Sequence, residues 1–317
     1  MKIENSSVSI LKQENGWIGM LKHVETTGRV CYASTDRIKN DSYKNFIKNV
    51  LLQNGHWAAF ELGTVYLKVL KKDIVSSAIA MYIVESTKPF TRYNEDSKFY
   101  YITTNYRVVQ QLLAKNNQIS DPIFLSYDSR LEQFFLNNLS DESEEFKKRI
   151  TVCWNCSRAI ANEFIRHRAF SPMQQSTRYC NFAKDKFENQ VTFIIPENIK
   201  KIASNEYNID LNANPQELES LGAKNKIINN KLKGWETGEG YYFEALKLGE
   251  KPEDARGLLP HDLKTILYQS AYLEDLYYVP DAPSPEKAGF FNLRSDLSAH
   301  PDARKLSIDL ENLLKVN

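Results

Sequence analysis

The chain carries almost no net charge: 41 basic against 40 acidic side chains leave a formal +1 over 317 residues. A balanced field gives a nucleic-acid polymer or an anionic membrane no long-range reason to bind, so an anion site must be local. Cysteine is scarce. The four thiols, Cys31, Cys153, Cys156 and Cys180, are too few for a disulfide-stapled secreted scaffold of this length. Cys153-Trp-Asn-Cys156 has CxxC spacing, but no second Cys or His pair stands where it would close a four-ligand zinc site. No metal is expected, and the two thiols read as packed residues of a helix. Long apolar runs are missing as well: the longest uncharged apolar stretch, Ile74 to Val84, falls short of the roughly 18 residues a membrane span needs. The segment Met1 to Trp17 carries charges and amides and lacks an apolar secretory core. The expectation is a soluble, cytoplasmic protein without a membrane partner.

What is present is an ordinary globular composition, 42% hydrophobic and 26% charged, able to bury a large core in one domain or two tightly joined ones. No internal repeat or low-complexity tract interrupts it. Val65, Leu67 and Val69 alternate with polar neighbours in Gly63 to Leu70, a strand; Phe99 to Thr104 reads as another, followed directly by a helix over Tyr106 to Leu113. Asn116 to Glu145 is polar and acidic, read as loops with a peripheral helix. From Thr151 to Arg166, Val152, Cys156, Ile160 and Phe164 recur every fourth position and predict one helix, which Ser171-Pro172 then forbids to continue. Val191 to Ile195 predicts a strand and Ser204 to Gly238 a polar insertion. Tyr241 to Leu248 predicts a helix closed by Gly249, with Pro252 in the first turn of the next. His261 to Tyr278 predicts a further helix, Pro280 to Pro285 a loop, and Pro301 the start of a last helix.

The charge is balanced overall but not locally. Between Arg158 and Arg178 stand four arginines and His167 against one acid, Glu163. Guanidinium forks suit phosphate and the polarised edge of a heterocycle, so Arg166-His167-Arg168 followed by Ser176-Thr177-Arg178 reads as an anion-binding wall. A hydrated basic surface is the plain alternative. Flanking guanidiniums argue against His167 as a metal ligand.

Arg166-His167-Arg168, seven residues, then Ser176, resembles the RHR-x7-S signature of the flavin-dependent thymidylate synthases (ThyX). Three further segments agree in order: Gly55-His56 with Glu61 resembles GHxxxxE; Ala255-Arg256-Gly-Leu-Leu259-Pro260 resembles ARxxLP; Asn292-Leu293-Arg294 resembles the closing xLR. The resemblance implies a single catalytic domain over 1–317, weakly matched at about 71–143 and 204–238. It implies an α+β fold, a mixed or antiparallel sheet flanked by helices, and a homotetramer with shared active sites.

It also implies the chemistry: reductive methylation of dUMP to dTMP, with FAD as cofactor, NADPH as reductant and methylenetetrahydrofolate as one-carbon donor. Uracil C5 must become nucleophilic. An enzyme thiolate at C6 or fixed positive charge at N3 and the carbonyls can achieve this. The family uses the arginine, here Arg294, as the catalytic residue; Cys180 is the rival thiol. By resemblance His56, Arg166, His167, Arg168, Gln174, Tyr272 and Glu274 fall at flavin positions. Glu163, Arg166, Gln174, Gln175, Ser176, Thr177, Arg178, Arg256 and Arg294 fall at nucleotide positions. This chain departs from the family at several of them. Gln174-Gln175 stand where a glutamate is usual, Glu163 where Gln is frequent, Tyr272 to Glu274 and Tyr278 where asparagines reach the flavin, and Trp57-Ala58 after the GH pair. Two other readings stay open: a uridylate C5-hydroxymethylase of the same fold, and a non-catalytic nucleotide-binding homologue.

Overall fold

A computed structural model describes residues 1–115, 130–277 and 289–316. The amino-terminal part runs β1 (Lys2–Glu4), β2 (Ser7–Leu11), α1 (Gly16–Arg29), α2 (Ser42–Phe46), β3 (Thr64–Leu70), α3 (Ile74–Ser86), β4 (Arg92–Glu95), β5 (Phe99–Asn105), α4 (Tyr106–Lys115), α5 (Arg130–Asn138) and β6 (Leu139–Ser140). Its sheet is antiparallel in the order β4-β5-β3-β6. Leu67, Val69 and Ile102 from the sheet, with Met20, Leu21 and Val24 of α1 and Phe134 and Phe135 of α5, make its core. Strands β3 and β5 and helix α4 form where alternation and helical spacing place them.

The second half runs β7 (Arg149–Ser157), α6 (Arg158–Phe164), β8 (Ser171–Gln174), β9 (Thr192–Ile194), α7 (Glu197–Tyr207), α8 (Glu217–Gly222), α9 (Lys226–Lys247), α10 (Pro252–Ala255), β10 (Lys264–Tyr272), α11 (Glu274–Tyr277), α12 (Phe290–Arg294) and α13 (Pro301–Val316). A second antiparallel sheet has the order β2-β7-β10-β8, and β1 pairs with β9 in parallel. The α+β class is as expected, with antiparallel sheets flanked by helices. No helix among the described residues is long and apolar enough to cross a membrane.

Two of the expected helices are corrected. Residues 149–157 form a central strand, and only Arg158–Phe164 is helical. A spacing of four is also two strand periods, so Ile150, Val152, Trp154 and Cys156 line one buried face of β7 just as well. Cys153 and Cys156 therefore lie on a strand, not a helix, three residues apart and so on opposite faces. No cluster of His, Cys, Asp or Glu suited to a metal occurs among the described residues. Likewise 264–272 is strand β10, covered on both faces: Leu267 and Ala271 pack into one core, Ile266 and Tyr268 against another. A doubly covered strand is apolar at nearly every position, which mimics helical spacing.

The stretch read as a polar insertion, 204–238, contributes Leu211, Leu218, Leu221, Ile228, Leu232 and Trp235 to a core of its own with Phe193 and Tyr242. Helix α9 ends as foreseen, at Gly249 with φ +96°, and Pro252 occupies the first turn of α10. The expected loop at 280–285, Tyr278 and residues 116–129 of the acidic segment lie outside the described residues; the helix expected at the periphery of that segment is α5, which buries Phe134 and Phe135 in the core.

Candidate active site

Helix α6 and the residues after it carry the signature, and aromatic packing sets their position. Trp154 of β7 packs on Phe164 with ring centroids 4.7 Å apart, and both meet Phe290 of α12. Gln269 of β10, 1% exposed, accepts from the Trp154 indole at 2.9 Å and donates to the Phe164 carbonyl at 3.1 Å. The end of α6 is thus pinned to the sheet and to α12. His167 lies edge-on to Phe290 at 4.9 Å and stacks on Phe170.

This packing brings Arg294, the last residue of α12, against α6. Its Nη1 donates to the Glu163 carboxylate at 2.7 Å, its Nη2 to the Glu163 carbonyl at 3.1 Å, and its Nε to His167 Nε2 at 2.8 Å. Since Nε2 accepts, the ring is neutral with its proton on Nδ1. Burial, and then the Arg294 charge, hold the His167 pKa down at about 4. Arg166 and Arg168 are exposed and have no partner among the described residues.

A second group gathers around residues 174–180. The short strand β8 pairs with β10 in a register that sets Gln174 opposite Leu267, and the Gln175 amide donates to the Ile266 carbonyl at 2.9 Å. Arg158 donates to the Gln175 carbonyl at 3.4 Å, and Arg256 to the Thr177 hydroxyl at 3.4 Å. Burial, and next the charge of Arg256, hold Arg158 below the usual arginine range. Neither arginine has an ion-pair partner among the described residues. Arg178, by contrast, pairs with Glu253 at 3.1 Å, and its backbone N–H donates to the Ser176 hydroxyl at 3.2 Å. The Gln174 side chain donates to Thr265 at 3.3 Å.

His56 joins this group. Gly55, at φ +66°, takes the left-handed turn that delivers it, a conformation glycine adopts without strain. The imidazole hydrogen-bonds the Tyr32 hydroxyl through Nδ1 and stacks on that ring, and Tyr179 packs on both. Burial, with Cys31 and Tyr179 nearby, pushes the Tyr32 hydroxyl up to about 12. Cys180 is fully buried, and burial raises its thiol above the ordinary range. That disfavours the thiolate a cysteine route requires.

Tyr272 and Glu274 are not brought to either group. Tyr272 is 4% exposed, and its hydroxyl donates to the Thr103 carbonyl at 2.6 Å and the Phe90 carbonyl at 3.0 Å. Arg92 lies 4.2 Å from its ring centroid and also pairs with Glu274, which Lys147 binds at 3.0 Å. Here these residues clamp the two sheets together. Their place among the flavin positions follows from an ungapped match to the family segment after Pro260. Arg158, Tyr32 and Tyr179 belong to the site although none was assigned a role from the sequence. Arg158 was the first arginine of the local excess; Tyr32 stands in no motif.

The two groups share no hydrogen bond or ion pair among the described residues. Both present arginines to open surface. Two clefts lie elsewhere, one of about 370 Å³ between Gln13–Trp17 and Leu139–Glu142, another of about 510 Å³ along α9 and Gly257–Pro260. The arrangement is an α+β scaffold with one arginine paired to a carboxylate and two others that have no ion-pair partner among the described residues.

A family model described as thymidylate synthase complementing protein matches residues 145–316, more than half of the chain, and the chain belongs to that family, the flavin-dependent thymidylate synthases. It is 29% identical over 133 residues to the flavin-dependent thymidylate synthase of Thermococcus onnurineus, covering 42% of this chain and 44% of that one. To the Pyrococcus abyssi protein of the same name it is 32% identical over 121 residues, covering 38% and 40%. The matched region thus spans well under half the length of these curated relatives. The crystal structure of a UMP/dUMP methylase, PolB from Streptomyces cacaoi, bound with 5-Br dUMP, superposes over 100% of this chain and 93% of that chain at 12% identity and a TM-score of 0.38. A likeness that weak bears on neither activity nor mechanism.

Proposed function

We propose that the protein is a flavin-dependent thymidylate synthase that converts dUMP to dTMP with methylenetetrahydrofolate as one-carbon donor, FAD as cofactor and NADPH as reductant. The observation that carries this reading is Arg294, held on three sides by Glu163 and His167 at the end of the signature helix. A guanidinium so fixed costs little reorganisation when charge develops on a ring carbonyl, which is where electrostatic catalysis gains most. Loss of the N3 proton makes the ring anionic and raises electron density at C5, and the fixed guanidinium holds that negative charge. The buried, protonated Cys180 leaves that task to the arginine.

Arg158 and Arg256, with Thr177, would take the nucleotide phosphate: two cations without counter-ions among the described residues recruit a dianion, with Arg178 and Ser176 beside them. For the flavin, the exposed guanidiniums of Arg166 and Arg168, unpaired among the described residues, fit a diphosphate, and the His56, Tyr32 and Tyr179 rings fit a planar ring system. Tyr272 and Glu274 do not fit it, being committed to the core and to ion pairs. When bound, a reduced flavin supplies the hydride that the one-carbon adduct needs to become methyl. A homotetramer whose sites draw residues from more than one copy completes this reading.

The deciding test gives purified protein dUMP, methylenetetrahydrofolate, FAD and NADPH without oxygen and identifies the nucleotide by mass spectrometry. Thymidylate is expected. A hydroxymethyl product would replace the synthase by the hydroxymethylase, and tight uridylate binding with no product would leave a binding protein.

A further inference from the structure

We propose that the outer face of α3, in the part of the chain that the family model does not match, docks antiparallel on the same helix of a second copy. The two sheets share one plan. The order β4-β5-β3-β6 repeats the order β8-β10-β7-β2, and α3 follows β3 as α6 follows β7. Within the chain α6 is covered by α12, through Phe164 on Phe290 at 5.3 Å and Glu163 on Arg294 at 2.7 Å. Helix α3 packs inward on β3 and β5 and buries Ala80, Ile83 and Val84. Its other side is open among the described residues: Ile74 is 81% exposed, Val75 64% and Tyr82 62%, with the exposed Ala78 between them.

At 3.6 residues per turn, Ile74, Val75, Ala78 and Tyr82 share one side of the helix. No charged side chain interrupts Ile74 to Val84, so α3 is apolar on both faces, and a helix apolar all round is one that is buried. Its ends indicate by what. Lys72, just before the helix, is exposed and has no ion-pair partner among the described residues. Glu85, in the last turn, is exposed and meets the equally exposed Lys88 at 2.8 Å. A two-fold axis beside Ala78 that sets Val75 on Tyr82 of the second copy also sets Lys72 on Glu85 of that copy, because the two spacings are centred on the same point of the helix. Each contact then occurs twice, as an isologous interface requires. The small Ala78 at the crossing lets the helices approach, and antiparallel helix dipoles favour the same arrangement, whereas a parallel pair would set Lys72 on Lys72. A lipid surface would account for the apolar face but not for the match between its spacing and that of the charges at its ends.

The inference rests on the multi-copy reading above only in needing a chain that associates, and it uses none of the chemistry. The test is sedimentation velocity on the full-length protein, joined to cysteine cross-linking. Wild type should sediment at a multiple of the chain mass. Val75→Asp puts a charge on the apolar face while keeping a residue favoured in a first helical turn, and should halve the mass of the assembly. Lys72→Glu sets like charges together at two places and should weaken association about tenfold at low salt; adding Glu85→Lys exchanges the signs and should bring association back to within about threefold of wild type. In oxidising buffer Ala78→Cys should link two chains, whereas Glu85→Cys, about 20 Å from its counterpart across the axis, should not. If wild type is an oligomer and Val75→Asp keeps its mass, if Lys72→Glu has no effect or the double reversal recovers nothing, or if Ala78→Cys links no more than Glu85→Cys, the inference is overturned and the homotetramer reading stands. A wild type that sediments as a single chain overturns both, and flotation of that chain with phosphatidylcholine vesicles would assign the face to a membrane instead.

Discussion

The two arginine groups are built on opposite electrostatic principles. Arg294 is neutralised by Glu163 and braced by an uncharged His167. Arg158 and Arg256 face each other's charge without a carboxylate partner among the described residues. A compensated arginine is stable and precisely aimed before any ligand arrives, which suits a group that must polarise a ring. An uncompensated pair is costly in the free protein, and an arriving anion relieves that cost, which suits capture. Orientation and affinity are thus assigned to different residues of one signature.

Breaking the first group should have the largest effect. Arg294→Ala is expected to lower thymidylate formation by more than about 10²-fold while uridylate still binds, since loss of one oriented donor to a developing oxyanion costs about that much. Steady-state turnover set beside uridylate dialysis checks it; unchanged turnover would remove Arg294 from the mechanism. Breaking the second group should act on affinity. Arg256→Ala or Arg158→Ala should each weaken dUMP about 10- to 100-fold, as expected for a charge-assisted hydrogen bond, and leave deoxyuridine, which has no phosphate, nearly unaffected. Equal losses for both ligands would contradict the phosphate assignment.

Acid separates the groups further. His23 and His167 are both held down at about 4 from the ordinary 6.5, the first cause in each case being burial. Between those values the unfolded chain binds protons the native state refuses, so stability rises with pH across that window and falls as pH drops from about 6.5 toward 4. Each histidine contributes at most about 1.4 kcal/mol per pH unit, less for the partly exposed His167. Urea midpoints from pH 7 to 4.5 measure the slope, and His167→Gln should flatten part of it. Tyr272→Phe should cost about 1–3 kcal/mol by removing the hydroxyl that donates to the buried Thr103 carbonyl and the part-buried Phe90 carbonyl, and should leave flavin content unchanged. Lost flavin with unaltered stability would return Tyr272 to the cofactor site. Cys180→Ala should have the smallest effect, turnover within about twofold of wild type in a rate assay, because its thiol is buried and protonated; a folded but inactive variant would revive the thiolate route.

What the sequence by itself determined is local. Alternation in 64–70 and 99–105, the proline at Pro301, Gly249 after α9 and the arginine excess from 158 to 178 all express preferences of neighbouring residues, and each is met in the structure. Tertiary structure decided the rest. Whether 149–157 and 264–272 are strands depends on partners more than a hundred residues away, because a strand buried on both faces has the same apolar spacing as a helix. That Glu163 rather than solvent meets Arg294, and that Arg158 meets Arg256, depends on the Trp154, Phe164 and Phe290 packing and on the register of β8 against β10. Those contacts join segments distant in the chain, and a spacing pattern contains no information about which distant segment will be the neighbour.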